Sequence, residues 1–154
     1  MQILRARLGL AAAACALLAI ASRLAPPSEL ATGAEHVRGT VHVLYGEGCG
    51  NIGLCVGSDG VLMVDDQFER LAKDIQGSID ALAKTPTPPA FVINTHFHGD
   101  HTGANAVFGR SGTIVAHDNV RVRLAAPKEG APMAADGLPV ITYGEAVSLH
   151  FNGE

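Results

Sequence analysis

The 154 residues, 47% hydrophobic and 17% charged, are enough for one domain with a sizeable core and exclude an intrinsically disordered chain. A net charge of −4 without any basic cluster excludes the electrostatic footprint of a nucleic-acid binder. Trp is absent, while 18 Gly and 8 Pro predict frequent turns.

Arg5 and Arg7 precede an apolar run from Leu8 to Ile20, and Ala19-Ile20-Ala21 offers an A-x-A-like cleavage site. That is the layout of a signal peptide over residues 1–21, for an exported protein, periplasmic or secreted. The run is short for a membrane span, so membrane contact is confined to an uncleaved N-terminal anchor. Acylation at Cys15 is disfavoured because the apolar run continues past it. Removing residues 1–21 takes Lys+Arg from 11 to 9 and leaves Asp+Glu at 15, a mature charge of −6. Residues 22–35, with Pro26-Pro27-Ser28, read as a linker to a domain over 36–154. Cys49 and Cys55 would then meet an oxidising compartment. Their spacing permits a disulfide without establishing one, and two small packed residues is the favoured reading.

Along the domain, Val-rich His36–Tyr45 reads as a strand, Asn51–Val56 as a second and Val61–Val64 as a third. Ser58-Asp59-Gly60 is the turn between the last two, and Asp59-Gly60 is a strong hairpin signal. A helix is predicted from Gln67 to Lys84, with Phe68, Leu71, Ile75, Ile79 and Leu82 on one stripe. Gly77 weakens it, and Thr85-Pro86-Thr87-Pro88-Pro89 ends it. Ala90–Ile93 reads as a strand buried on both faces. A short helix over Gly103–Phe108, a buried strand at Thr113–Ala116 and a helix from an Asp118 N-cap to Ala126 follow. After a Pro- and Gly-rich loop over 127–139, Val140–Tyr143 and Ala146–Phe151 are the last strand candidates. Strands dominate the start and then alternate with helices, which predicts an α/β (α+β) mixed sheet with flanking helices. Asn152-Gly153 is a preferred hairpin pair, and a returning strand should follow it. The expectation is therefore a domain truncated at its C-terminus; the rival reading is a polar, frayed end.

Four potential metal ligands fall within six residues: His96, His98, Asp100 and His101. In an extended stretch His96 and His98 point the same way and can chelate one ion. Gly99 permits a change of direction that turns Asp100 and His101 toward a second. Two ions roughly 3.5–4 Å apart could activate a water and polarise a carbonyl or phosphoryl group. The loop follows a buried strand, where open α/β sheets place ligands.

The run Thr95-His96-Phe97-His98-Gly99-Asp100-His101-Thr102-Gly103 resembles the HxHxDH signature of the metallo-β-lactamase superfamily. Gly50-Asn51-Ile52-Gly53 and Val64-Asp65-Asp66-Gln67-Phe68 resemble that family's first hairpin and strand-end Asp. The resemblance implies the first half of an αββα sandwich of two similar halves, with metals at the edge between the sheets. It implies His96 and His98 as ligands of a first Zn2+, Asp100 and His101 as ligands of a second, and Asp100 as the catalytic carboxylate. It implies that Asp65 braces the loop; read by itself, Asp65 is as well an N-cap or turn residue. The family's further His, bridging Asp and final His belong to a second half that these residues do not supply. His117 follows a strand near the loop without matching a family ligand position, His150 reads as a surface residue, and His36 and His42 carry no signal.

The implied function is a zinc-dependent hydrolase in which metal-activated water attacks an ester, thioester or lactam bond of a small-molecule substrate. One alternative is an inactive fragment that binds metal weakly, since a catalytic zinc normally takes three protein ligands and the loop gives two per ion. On that ground the 154 residues alone are expected to show no appreciable turnover. The other alternative is a di-iron redox member of the same fold, because the donors also suit iron.

Overall fold

The computed structural model describes residues 33–46 and 50–154. The expected signal peptide, nearly all of the expected linker, and Cys49 lie outside the described residues. Seven strands form one sheet in sequential order: β1 (Glu35–Arg38), β2 (Val41–Leu44), β3 (Ile52–Gly57), β4 (Gly60–Val64), β5 (Phe91–Asn94), β6 (Thr113–His117) and β7 (Ile141–Tyr143). β1 to β4 pair antiparallel, whereas β4 to β7 pair parallel. Connection length explains the change: short turns join antiparallel neighbours, while parallel ones need crossovers.

The segment His36–Tyr45 is a hairpin rather than one strand, with His36 opposite His42 and a turn at Gly39-Thr40. Gly39 has φ +50°, a conformation that glycine adopts freely, and the Val-rich flanks hide that turn in the sequence. In the next hairpin Gly57 pairs with Gly60, so Ser58 and Asp59 alone make the turn.

The predicted long helix starts later than Gln67. A 3-10 turn at Glu69–Leu71 leads into α1 (Ala72–Ala83), and Gln67 has φ +61°. The stripe is as expected: Leu71, Ile75 and Ile79 are buried, with Phe68 and Leu82 packed at its margin. These side chains meet Leu44, Ile52, Leu54, Val61, Met63, Val92 and Ile114 from one face of the sheet. Gly77 lies on the solvent side, with nothing within 4 Å of where a Cβ would sit. Gly77→Ala is therefore expected to raise stability by about 0.5–1 kcal/mol in urea denaturation. Unchanged or lower stability would show that position 77 has a contact the helix needs.

β5 is not buried on both faces. Val92 and Asn94 are buried, but Phe91 and Ile93 are only half-buried, because the helices cover the opposite face. α2 (Gly99–Thr102) and α3 (Asn105–Phe108) follow β5, and α4 (Asp118–Ala125) follows β6. Asp118 is the first residue of α4 rather than its N-cap. His117 caps the helix, its Nδ1 accepting from the Asn119 N–H at 3.0 Å.

Ala146–Phe151 is not a strand. The Asn152-Gly153 turn forms, with φ +56° and +80°, but it docks on the β3–β4 turn. Asn152 N–H donates to Asp59 Oδ2 at 2.7 Å, and Asp59 N–H donates to Asn152 Oδ1 at 2.8 Å. Phe151 packs edge-on against Phe91 at 5.7 Å. Val147–Phe151 thus alternates in sequence without joining a ladder, and Val147 is exposed.

Candidate metal centre

Three parallel strands end at one edge of the sheet. Asp65 follows β4, Thr95–His101 follow β5, and His117 closes β6. Asp65 N–H donates to Ile93 O at 2.8 Å, which sets Asp65 beside the start of the His-rich loop. His98 is extended and precedes α2, whose first turn is closed by the His101 N–H donating to His98 O at 3.0 Å. That turn swings His101 back over His96, and their ring centroids lie 4.0 Å apart.

Asp65 is 4% exposed, and its carboxylate takes three donors. Oδ1 accepts from Thr95 N–H at 2.8 Å; Oδ2 accepts from the Thr95 hydroxyl at 2.7 Å and from His101 Nδ1 at 2.8 Å. No helix begins at Asp65, so there is none for it to cap. These bonds assign ring protons. The single Thr95 hydroxyl proton goes to Asp65, so Thr95 Oγ1 accepts from His96 Nδ1–H at 3.1 Å. His96 and His101 therefore both direct Nδ1 away from the loop's other donors and turn Nε2 toward them.

The two Nε2 atoms meet further donor atoms. His96 Nε2 lies 3.2 Å from His98 Nδ1, and His101 Nε2 lies 3.3 Å from Asp100 Oδ2. Two ligands of one tetrahedral zinc, each about 2.0–2.2 Å from it, stand roughly 3.3 Å apart. Both separations fit that edge. His101 Nε2 and Asp100 Oδ2 lie at ion-pair distance, so the position between them suits a shared cation, a proton or a metal ion. Among the described residues no three metal-binding side chains converge on one position. The donors stand as two pairs.

Gly50 closes the site from the β2–β3 loop. Its N–H donates to Asp100 Oδ2 at 3.3 Å, and a Cβ there would lie 2.6 Å from His101 Cε1. Only glycine lets that backbone approach the imidazole. His117 stays apart: Nδ1 caps α4, and Nε2 donates to Gly144 O at 2.7 Å, so both ring nitrogens are engaged structurally. His150 is exposed, and His36 and His42 face each other across β1 and β2. Cys55 is a buried thiol whose Sγ lies 3.3 Å from Thr40 Oγ1.

Sequence reasoning missed a buried polar layer behind the loop: Asp66, Gln67, Asn94, Thr102 and Asn105. Asp66 Oδ1 accepts from Ala104 N–H, while Asp66 Oδ2 and both Gln67 amide atoms are buried without a partner. Burial pushes the Asp66 carboxyl up to about 8, against the opposing Ala104 hydrogen bond and with help from the Asp65 charge. The available signal was the polar run Asp65-Asp66-Gln67 directly after an apolar strand.

The family model described as the metallo-beta-lactamase superfamily matches residues 50–135. Among solved structures, a B3 metallo-beta-lactamase with an active-site glutamic acid is 23% identical with TM-score 0.64, covering 79% of this chain and 50% of that one. BJP-1, a subclass B3 metallo-beta-lactamase of Bradyrhizobium japonicum, is 18% identical with TM-score 0.63, covering 79% and 50%. FEZ-1 from Legionella gormanii is 14% identical with TM-score 0.57, covering 66% and 39%. At these identities the likeness is one of fold, and the chain spans at most about half the length of these three structures. No curated protein matches the sequence.

Proposed function

The chain belongs to the metallo-beta-lactamase superfamily, and from that premise we propose that its Thr95–His101 loop holds zinc for hydrolysis of an ester, thioester or lactam bond in a small substrate. One observation carries this reading: four donors stand as two facing pairs, 3.2 and 3.3 Å apart, with Nδ1 of His96 and of His101 already engaged by Thr95 and Asp65. His96 and His98 would hold one ion, and Asp100 and His101 a second. Zinc supplies Lewis acidity there, polarising the bond under attack and acidifying water.

The chain's own residues bind and orient. Asp65 accepts the His101 Nδ1 proton and so keeps Nε2 free toward the metal. Thr95 relays the same carboxylate to His96. The Gly50 N–H holds Asp100 Oδ2, the catalytic carboxylate of this reading, beside His101. The Arg5, Arg7 and Leu8–Ile20 pattern supports export. A β-lactam is the first substrate to try, given the names of the structural neighbours.

Two donors per ion are one short of an ordinary catalytic zinc, which favours the weakly binding, inactive reading for these 154 residues taken alone. Dialysis against equal zinc, iron(II) and calcium followed by metal analysis tests the zinc assignment. Zinc is expected to be retained; iron would favour the redox reading, and no bound metal would overturn both. Any turnover of a β-lactam, thioester or aryl ester should vanish with a chelator; turnover that survives chelation would contradict zinc-dependent chemistry. Among the described residues no helix is long and apolar enough to cross a membrane.

A further inference from the structure

Behind the metal loop, two fully buried amides face each other. Asn105 Nδ2 donates to Asn94 Oδ1 at 2.9 Å, and Asn94 Nδ2 donates to Asn105 Oδ1 at 3.0 Å. Each NH2 has a second proton. That of Asn94 goes to His101 O at 3.1 Å, and that of Asn105 goes to Gly137 O at 2.8 Å. All four amide protons are used, so neither residue needs water.

Position gives the pair its meaning. Asn94 is the last residue of β5 and Asn105 the first of α3. The ten residues between them, 95–104, include every candidate ligand. The amides join the two ends of that loop at its base, and one of them also holds the His101 carbonyl. Asp66 N–H donates to the same carbonyl at 3.3 Å, and Asp65 holds the His101 ring. His101 is thus fixed at backbone and side chain together. The far end of the network is also rigid: a Cβ on Gly137 would lie 3.0 Å from Ala106 N and 2.6 Å from Met133 Sδ. Burying two amides brings little net stability over an apolar pair of similar shape, so their use here is directional.

We propose that Asn94 and Asn105 are positioning residues, a clasp that closes the base of the loop and sets the place of His101 for metal binding. The 127–139 loop is tied into the same clasp through Gly137. This inference rests on the zinc reading above.

Asn105→Asp keeps the shape but sets a carboxylate oxygen against Asn94 Oδ1 and Gly137 O. Ile79→Ala, in the core of α1 and away from the loop, serves as a control for lost stability alone. Zinc affinity is read by competition with a chromophoric chelator, and the cobalt(II) visible spectrum reports ligand geometry, on protein shown to be folded by circular dichroism. Asn105→Asp is expected to weaken zinc binding roughly tenfold to a hundredfold and to shift the cobalt bands, while Ile79→Ala does neither. If Asn105→Asp does not fold, Asn105→Ser carries the same test. Equal affinities and spectra for the unaltered chain, the Asn105 variant and Ile79→Ala would overturn the clasp while leaving the zinc reading intact. An unaltered chain that binds no zinc would overturn both.

Discussion

Replacing His96 or His98 with Ala is expected to weaken zinc binding by more than about a hundredfold, beyond the roughly 10–100-fold that loss of a supporting group costs. The two rings present Nε2 and Nδ1 to each other at 3.2 Å, so either substitution reduces a two-point chelate to one donor. The double variant should lose that ion outright. Stability should barely move, because His98 is exposed and His96 half-buried, and such surface changes usually stay within about 0.5 kcal/mol. Zinc titration beside urea denaturation checks both halves. Unchanged zinc affinity in the double variant would place the metal elsewhere.

Asp65→Asn should separate bracing from packing. Asparagine keeps the size of the side chain and one oxygen for the Thr95 N–H. In place of Oδ2, however, it sets an NH2 against the Thr95 hydroxyl and His101 Nδ1. The hydroxyl can turn and accept. His101 Nδ1 can accept only by moving its proton to Nε2, the atom proposed to face the metal. Zinc affinity is therefore expected to fall about 10–100-fold while the folded structure is retained. Asp65→Ala should do more harm, leaving the Thr95 N–H and hydroxyl and the His101 N–H without an acceptor, at about 1–3 kcal/mol for each donor that stays buried. Nuclear magnetic resonance of the imidazole nitrogens would show the tautomer directly. A His101 that keeps its proton on Nδ1 in Asp65→Asn, with zinc affinity unchanged, would remove the bracing role.

Much of this was legible in the sequence because the signals were local. The Leu71–Ile75–Ile79 stripe is a 3.6-residue period, and it packs as such. The His96–His101 run stands out by composition and spacing, and the fold gathers its donor side chains at the ends of the parallel strands. What stayed hidden depended on the fold. Nothing in Val37-Arg38-Gly39-Thr40-Val41 marks a chain reversal except one glycine. Ala146–Phe151 alternates like a strand but joins no ladder, and its Phe151 ring packs on Phe91 instead. The N-cap reading of Asp65 falls away only when the fold shows that no helix starts beside it. Asn94 and Asn105 look like ordinary loop polars. Their burial and their mutual bonds exist only once the loop has closed.

The most direct measurement of the central claim is X-ray absorption at the zinc edge of the zinc-loaded chain. The expected spectrum has nitrogen and oxygen neighbours at about 2.0–2.2 Å with imidazole scattering and no sulfur. A sulfur shell at about 2.3 Å, or a signal free of imidazole, would contradict zinc held by His96, His98, Asp100 and His101.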